Sequence, residues 1–137
     1  MDRFKSVTVP AAQIAPQDAA KTRPRRADPL DLEFLDRQAL GDPGLRDEII
    51  RQFHERLTLY FSRVTASTEV EGLTIALKML GMAARGVGAW TIGELSAGAE
   101  SELREAGIVN SERIEDLAVA VAEAETWLSE RISRMPD

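Results

Sequence analysis

The stretch TIALKMLGMAARGVGAW, residues 74 to 90, decides how this chain folds, because it predicts a helix that is apolar on two sides and ends in a glycine-marked turn. On a helical wheel of about 100° per residue, one of these faces fits a protein core. That core face carries Val70, Leu73, Leu77, Leu80, Ala84 and Val87. The roughly opposite face, which we call the outer face, carries Ile75, Met79 and Met82. A polar flank between the two faces carries Thr74, Lys78, Gly81 and Arg85.

The outer face is unusual for a helix at the surface of a bundle, where charged side chains normally meet water. We expect it to be a partner surface, either for another protein or for a second copy of this chain. Methionine suits such a surface because its flexible side chain repacks against different partners. Two other interpretations remain open: the N-terminal arm, with Val7, Val9 and Ile14, folds over this side, or another part of the chain contacts it.

Start and stop signals divide the rest of the chain into helices. Asp28-Pro29 and Asp42-Pro43 each predict a capping aspartate followed by proline in the first helical turn, and Gly41 ends the short helix between them. Thr68 with Glu71, and Thr91 with Glu94, predict capping boxes for the third and fourth helices. Gly107 ends the fourth helix, and Ser111 begins the fifth. No segment alternates as a strand does.

We therefore predict an all-α fold: an antiparallel up-and-down four-helix bundle with a short leading helix, over residues 29 to 137. Residues 1 to 28 contain three prolines and no sustained periodicity, which predicts an extended or disordered N-terminal arm.

Composition excludes several classes of function. Cysteine is absent and His54 is the only histidine, so we expect neither a metal site nor a cofactor, and no set of catalytic residues. The net charge of −6 argues against binding to nucleic acid. No apolar run approaches the length of a membrane-spanning helix, which is about 20 residues, and no signal peptide is recognised. We predict a cytoplasmic protein that is not an enzyme.

Residues 30 to 125 resemble the histidine-containing phosphotransfer (HPt) domains of bacterial two-component phosphorelays. The segment DLEFLDRQALGDPGLRDEIIRQFHERL is similar to their first two helices, and ARGVGAWTIGELSAGAESEL is similar to the turn and helix that follow the phosphoaccepting helix. The resemblance implies a four-helix bundle with an exposed histidine in a motif of the form H-x-L-K-G-S-A. It also implies that a receiver domain docks over that helix.

The phosphoaccepting histidine of the family is missing here. An alignment without a gap puts Lys78 at its position, whereas matching IALK to the family motif needs an extra helical turn and puts Ile75 there. We prefer Lys78, since it lies on the polar flank. An ammonium group is protonated near neutral pH and does not replace the imidazole nucleophile, but its charge suits the acidic phosphorylation pocket of a receiver.

The resemblance thus implies a pseudo-phosphotransfer protein that binds response-regulator receiver domains and carries no phosphoryl group. The expected contact residues are Thr74, Ile75, Lys78, Met79, Gly81, Met82 and Arg85. Two alternatives remain: a homodimer through the outer face, and an active phosphocarrier that uses His54. We expect His54 to be partly buried, Trp90 to lie in the core or at a bundle end, and the acidic residues of the last two helices to form a solvated face.

Overall fold

A computed structural model describes residues 28–136, so almost all of the predicted arm, and the interpretation in which it covers the outer face, lie outside the described residues. Five helices follow one another: α1 (Leu32–Gln38), α2 (Pro43–Ala66), α3 (Val70–Gly86), α4 (Trp90–Ala106) and α5 (Ser111–Ser133). Between residues 28 and 136 there is no strand. The predicted all-α class is confirmed, and the domain boundary at residues 28 and 29 stays a prediction.

The four long helices form a closed ring of contacts. The backbone of α2 lies close to those of α3 and α5, the backbone of α4 also lies close to those of α3 and α5, and neither diagonal pair comes as close within the described chain. Loops of three or four residues join successive long helices, a length typical of helix connections in bundles. The up-and-down order of all four helices stays a prediction.

The core lies along the axis of this ring. Its fully buried large side chains are Leu30, Leu35, Ile50, Leu57, Leu77, Leu80, Leu117 and Leu128. Burying one such side chain contributes about 1.5–3 kcal/mol, so this set supplies a large part of the stabilisation of the fold. The core face predicted for α3 is confirmed from Leu73 to Val87, but Val70, at the first position of the helix, is 53% exposed and does not belong to it.

Some of the predicted helix boundaries are confirmed. Asp42 caps α2, because its Oδ1 accepts hydrogen bonds from the backbone N–H groups of Gly44 at 2.9 Å and Leu45 at 3.3 Å. Helix α4 stops at Gly107, whose φ of +79° is a left-handed conformation that suits glycine. Helix α5 begins at Ser111 as predicted, with Asn110 as its cap.

Three of the predicted start signals are wrong. Helix α1 is capped by Asp31 and not by Asp28, because Leu30 is buried in the core and the helix begins only after it. The N-cap of α3 is Glu69, which is extended and makes no side-chain cap, so Thr68 lies one residue outside the helix.

The third error concerns α4, which begins at Trp90 and not after Thr91. Its N-cap is Ala89, and no side chain caps it. The turn before this helix is tight: Gly88 has a φ of +77°, and the Ala89 N–H donates to the Ala84 carbonyl at 2.8 Å. The chain therefore re-enters a helix before it reaches the threonine.

Candidate docking face on helix α3

The outer face of α3 is exposed, as the sequence predicts. Ile75 is 54% exposed, Met82 is 67% exposed, and Met79 also lies at the surface. Met79 is 38% exposed and is therefore partly covered within residues 28–136, whereas Ile75 and Met82 are each more than half exposed. A run of apolar side chains at the surface of a helix is a feature of interaction sites.

The polar flank of α3 lies beside α4, and its two charged residues, Lys78 and Arg85, are exposed. The Lys78 ammonium forms an ion pair with the Glu100 carboxylate of α4. One helical turn further on, a Cβ added at Gly81 would lie 3.3 Å from the Cβ of Ser96. The sequence numbers rise along α3 as they fall along α4, which is the pattern of two antiparallel helices in close contact.

The other three flank residues predicted to contact a partner also make contacts within the chain. Gly81 is buried against α4, so it offers no accessible surface of its own, and its prediction as an exposed contact residue is corrected. Arg85 lies across Gly93 and donates from Nη1 to the Gly93 carbonyl at 3.2 Å. Thr74 is half-buried, and its hydroxyl donates to the Val70 carbonyl at 2.8 Å.

The acidic residues of α4 and α5 are only partly a solvated face. Glu100 pairs with Lys78, and Glu102 accepts hydrogen bonds at 3.0 Å from the Asn110 backbone and from Arg113 Nε. The bond from the Asn110 backbone is the main reason that the pKa of Glu102 is held below its usual value. The exposed members of the set are Glu105, Glu112, Glu115 and Asp116. No group of three potential metal ligands occurs in residues 28–136.

Comparison with known proteins gives one informative result. No family model matches the sequence, and no curated protein matches it. Among solved structures, the histidine phosphotransferase ShpA from Caulobacter crescentus is 27% identical in sequence, with a TM-score of 0.58. The match covers 77% of this chain and 91% of that one. The chain is similar to a histidine phosphotransferase.

This similarity supports the predicted HPt-like fold and a role related to phosphorelays. The correspondence of Lys78 to the phosphoaccepting position stays a prediction. No helix in the described residues is long and apolar enough to span a membrane, and the cytoplasmic location stays a prediction.

The only histidine of this HPt-like chain lies away from the outer face. His54 is on α2, half-buried, in a groove shared with Thr58 and Glu125. The groove is bounded by α2 and α5, whereas Lys78 lies where α3 meets α4. Because the four helices form a ring, these two places are on opposite sides of the bundle.

The segment GVGAW holds α1 on one end of the HPt-like bundle. Asp31 donates its backbone N–H to the Gly88 carbonyl at 3.0 Å, and its Oδ2 accepts from Trp90 Nε1 at 3.0 Å. The rings of Trp90 and Phe34 meet edge to face, with centroids 4.9 Å apart. Trp90 is therefore a bundle-end aromatic residue, one of the two positions expected for it.

Several charges and dipoles act on the Asp31 carboxylate. Burial raises the pKa of Asp31, but hydrogen bonds from Trp90 and the Phe34 backbone act in the opposite direction. The positive charge of Arg37 adds to the lowering, so the pKa of this carboxyl lies below its ordinary value. An aspartate directly before an apolar helix is a sequence signal for an N-cap, and the aspartate at position 31 carries it. A second aspartate at position 28 carries the same signal, so the sequence did not distinguish the two.

Proposed function

We propose that this chain binds receiver domains of two-component phosphorelays through the outer face of α3 and Lys78, and that it carries no phosphoryl group. The observation that carries the proposal is the exposed apolar face beside Lys78, on the helix that the resemblance assigns to receiver docking. The similarity to a histidine phosphotransferase supports the phosphorelay context.

The absence of transfer chemistry is inferred from the residue at the matching position. A phosphocarrier of this kind needs a neutral imidazole nitrogen that attacks an aspartyl phosphate. Lysine at position 78 presents an ammonium, which has no free electron pair at neutral pH. The only imidazole of the sequence, that of His54, lies on the far side of the ring of helices.

The residues that remain suit binding. Ile75, Met79 and Met82 offer apolar area that a partner would remove from water, and such central apolar contacts dominate the free energy of binding at protein interfaces. Lys78 at the edge adds a positive charge opposite the acidic pocket of a receiver, which favours correct orientation and faster association.

A binding titration tests the proposal. Purified receiver domains from the genome that encodes this chain are titrated against the wild type, Met82→Asp and Val119→Asp. Val119 is a valine on α5 that is 57% exposed, so its substitution controls for an added charge elsewhere. We expect at least one receiver to bind, Met82→Asp to weaken binding about tenfold or more, and Val119→Asp to leave it within about twofold.

Two outcomes contradict the proposal. If no receiver binds, or if both aspartate substitutions weaken binding equally, the outer face is not a receiver-binding site. Transfer is tested separately with a receiver that carries a radiolabelled phosphoryl group. Acid-labile label that appears on this chain and disappears in His54→Ala would identify an active carrier instead.

The same exposed face also favours the homodimer as a second candidate. Sedimentation equilibrium decides it, because a dimer through the outer face dissociates in Met82→Asp and persists in Val119→Asp. A monomer at all concentrations excludes this candidate.

A further inference from the structure

The ion pair between Lys78 and Glu100 has a consequence for partner selection. Lys78 is the only lysine between residues 28 and 136. Its side chain is 58% exposed, whereas that of Glu100 is only 17% exposed. The cation is therefore the accessible member of the pair, and the carboxylate is the member that depends on the protein for its stabilisation.

We propose that Glu100 is a specificity-determining residue, which competes with the partner for Lys78 and so restricts binding to partners with more than one carboxylate at the contact. This inference rests on the proposed function, because the partner it concerns is the receiver domain.

Leaving Glu100 without its cation has a cost in free energy. A carboxylate that has lost most of its water is destabilised unless another group compensates its charge. Lys78 is the cation that pairs with Glu100 among the described residues. A partner that draws Lys78 away must therefore offset the loss at Glu100 as well as attract the ammonium.

If the Lys78 ammonium leaves Glu100 for a single carboxylate of a partner, the net gain in binding free energy is small. A partner with a single carboxylate replaces the Glu100 contact by an equivalent one and leaves Glu100 unpaired. A pocket in which several carboxylates converge attracts the ammonium more strongly than Glu100 does, since Coulomb energies of nearby charges add. The acidic pocket of a receiver has this chemistry.

The geometry of the two side chains favours movement of Lys78. Glu100 lies on α4 between the buried residues Ala99 and Leu103, which fix its backbone. Lysine has a flexible four-carbon stem, and Lys78 projects from the edge of α3 next to the outer face. The other cation of the flank, Arg85, is committed to the Gly93 carbonyl.

The test is a double-mutant cycle with the receiver identified by titration. Wild type, Glu100→Gln, Lys78→Met and the double variant are each titrated against it. We expect Glu100→Gln to bind the receiver about two- to fivefold more tightly, a modest gain because the Lys78 end of the pair is 58% exposed and water screens it. The gain should vanish in the Lys78→Met background, because residue 100 then has no ammonium for which it could compete with the receiver.

Glu94→Gln is the matched control, since Glu94 is an exposed glutamate on the same helix and its substitution changes the net charge equally. Its affinity should stay within about 1.5-fold of the wild type. An equal gain in Glu94→Gln, or a gain from Glu100→Gln that persists without Lys78, overturns the inference.

The two proposals fail in different ways. Wild-type binding that Met82→Asp weakens but Glu100→Gln does not tighten overturns the inference and leaves the proposed function intact. Absence of binding by both the wild type and Glu100→Gln, across the receiver panel, overturns the two together.

Discussion

Gly88 connects the turn after α3 to the start of α1, and both its backbone and its surroundings exclude a side chain. Its φ is +77°, and an added Cβ would lie 2.8 Å from the Cβ of Asp31 and 3.1 Å from its backbone nitrogen. The clash is with backbone and with the first side-chain atom, neither of which moves freely. The Asp31 N–H to Gly88 carbonyl hydrogen bond depends on this close approach.

We expect Gly88→Ala to lower the free energy of unfolding by about 2–5 kcal/mol, combining left-handed strain with overpacking. Gly107→Ala is the control, because Gly107 has a φ of +79° but nothing within 4 Å of an added Cβ. The free energy of unfolding of Gly107→Ala should fall only by the cost of the left-handed backbone conformation, about 1–2 kcal/mol. Urea unfolding measures both, and equal losses would show that the contact with Asp31 is unimportant.

The lowered pKa of Asp31 predicts a dependence of stability on pH. A carboxyl whose pKa is lower in the folded than in the unfolded chain stabilises the fold above the unfolded value, about 3.9. That contribution is lost as the pH falls through the folded pKa. Asp31→Asn retains a capping side chain but not the charge, so its stability should fall less steeply on acidification below about pH 4.

Urea unfolding at a series of pH values, followed by tryptophan fluorescence, measures this dependence. Part of the slope should remain in Asp31→Asn, because the pKa of Glu102 is also lowered, by the Asn110 backbone and Arg113. A slope identical to the wild type would exclude a contribution from Asp31.

The pairing of Lys78 was not predictable from the sequence. Its place on a polar flank follows from helical periodicity, but its partner, Glu100, lies on the next helix. Identifying that partner needs the register between α3 and α4, which side-chain packing at Gly81 and Gly93 sets. Exposure was predicted for Gly81 because only one face of α3 was assigned to the core. A helix in a ring contacts two neighbouring helices, so a second side of α3 is buried as well.

At the scale of helices, glycines lie at two points where α3 and α4 are in close contact, Gly81 and Gly93. A Cβ at Gly93 would lie 2.8 Å from Cγ of Arg85, an atom near the base of that side chain. Gly72 differs, since its nearest neighbour is the Ser67 hydroxyl at 3.8 Å, an ordinary contact distance. Gly72 and Gly93 both lie within helices, so replacement by alanine changes helix propensity similarly at the two positions. A difference in stability between the two variants therefore reports packing.

Gly72→Ala should stabilise the protein by about 0.5–1 kcal/mol, the gain from replacing glycine in a helix. Gly93→Ala has the same gain but must displace Arg85, which costs about 1–3 kcal/mol, so we expect a net loss. Thermal and urea unfolding of the two variants measure the difference. If both variants were stabilised, α3 and α4 would not be closely packed at this point.

Helix identity was predictable here, and several helix starts were not. Apolar periodicity in α2 to α5 is long and consistent, so each helix was found from its core stripe. The starts at Asp31 and Ala89 depend on the surrounding structure: burial of Leu30 delays α1, and the tight Gly88 turn advances α4. The local capping patterns at Asp28 and Thr91 did not compete with those contacts.

For the whole molecule, the ring of helices separates two surfaces of different character. The α3–α4 side presents the outer face and Lys78, and the α2–α5 side presents His54 beside Thr58 and Glu125. Sequence alone placed His54 at a core margin but did not reveal which side of the bundle it faces. That relation depends on which helices are neighbours.

This separation predicts that a change at His54 leaves receiver binding on the α3–α4 side intact. We expect His54→Ala to leave the affinity for the receiver within about twofold of the wild type, as is usual for a substitution remote from an interface, while Met82→Asp weakens it about tenfold or more. The Glu125 carboxylate next to the Thr58 hydroxyl keeps the α2–α5 groove polar without the imidazole, so the variant should remain folded. Isothermal titration calorimetry gives the affinities, and circular dichroism checks the fold. A large loss of affinity in folded His54→Ala would place the receiver on the α2–α5 side, which would reverse the assignment of the docking face and restore His54 as a candidate phosphoacceptor.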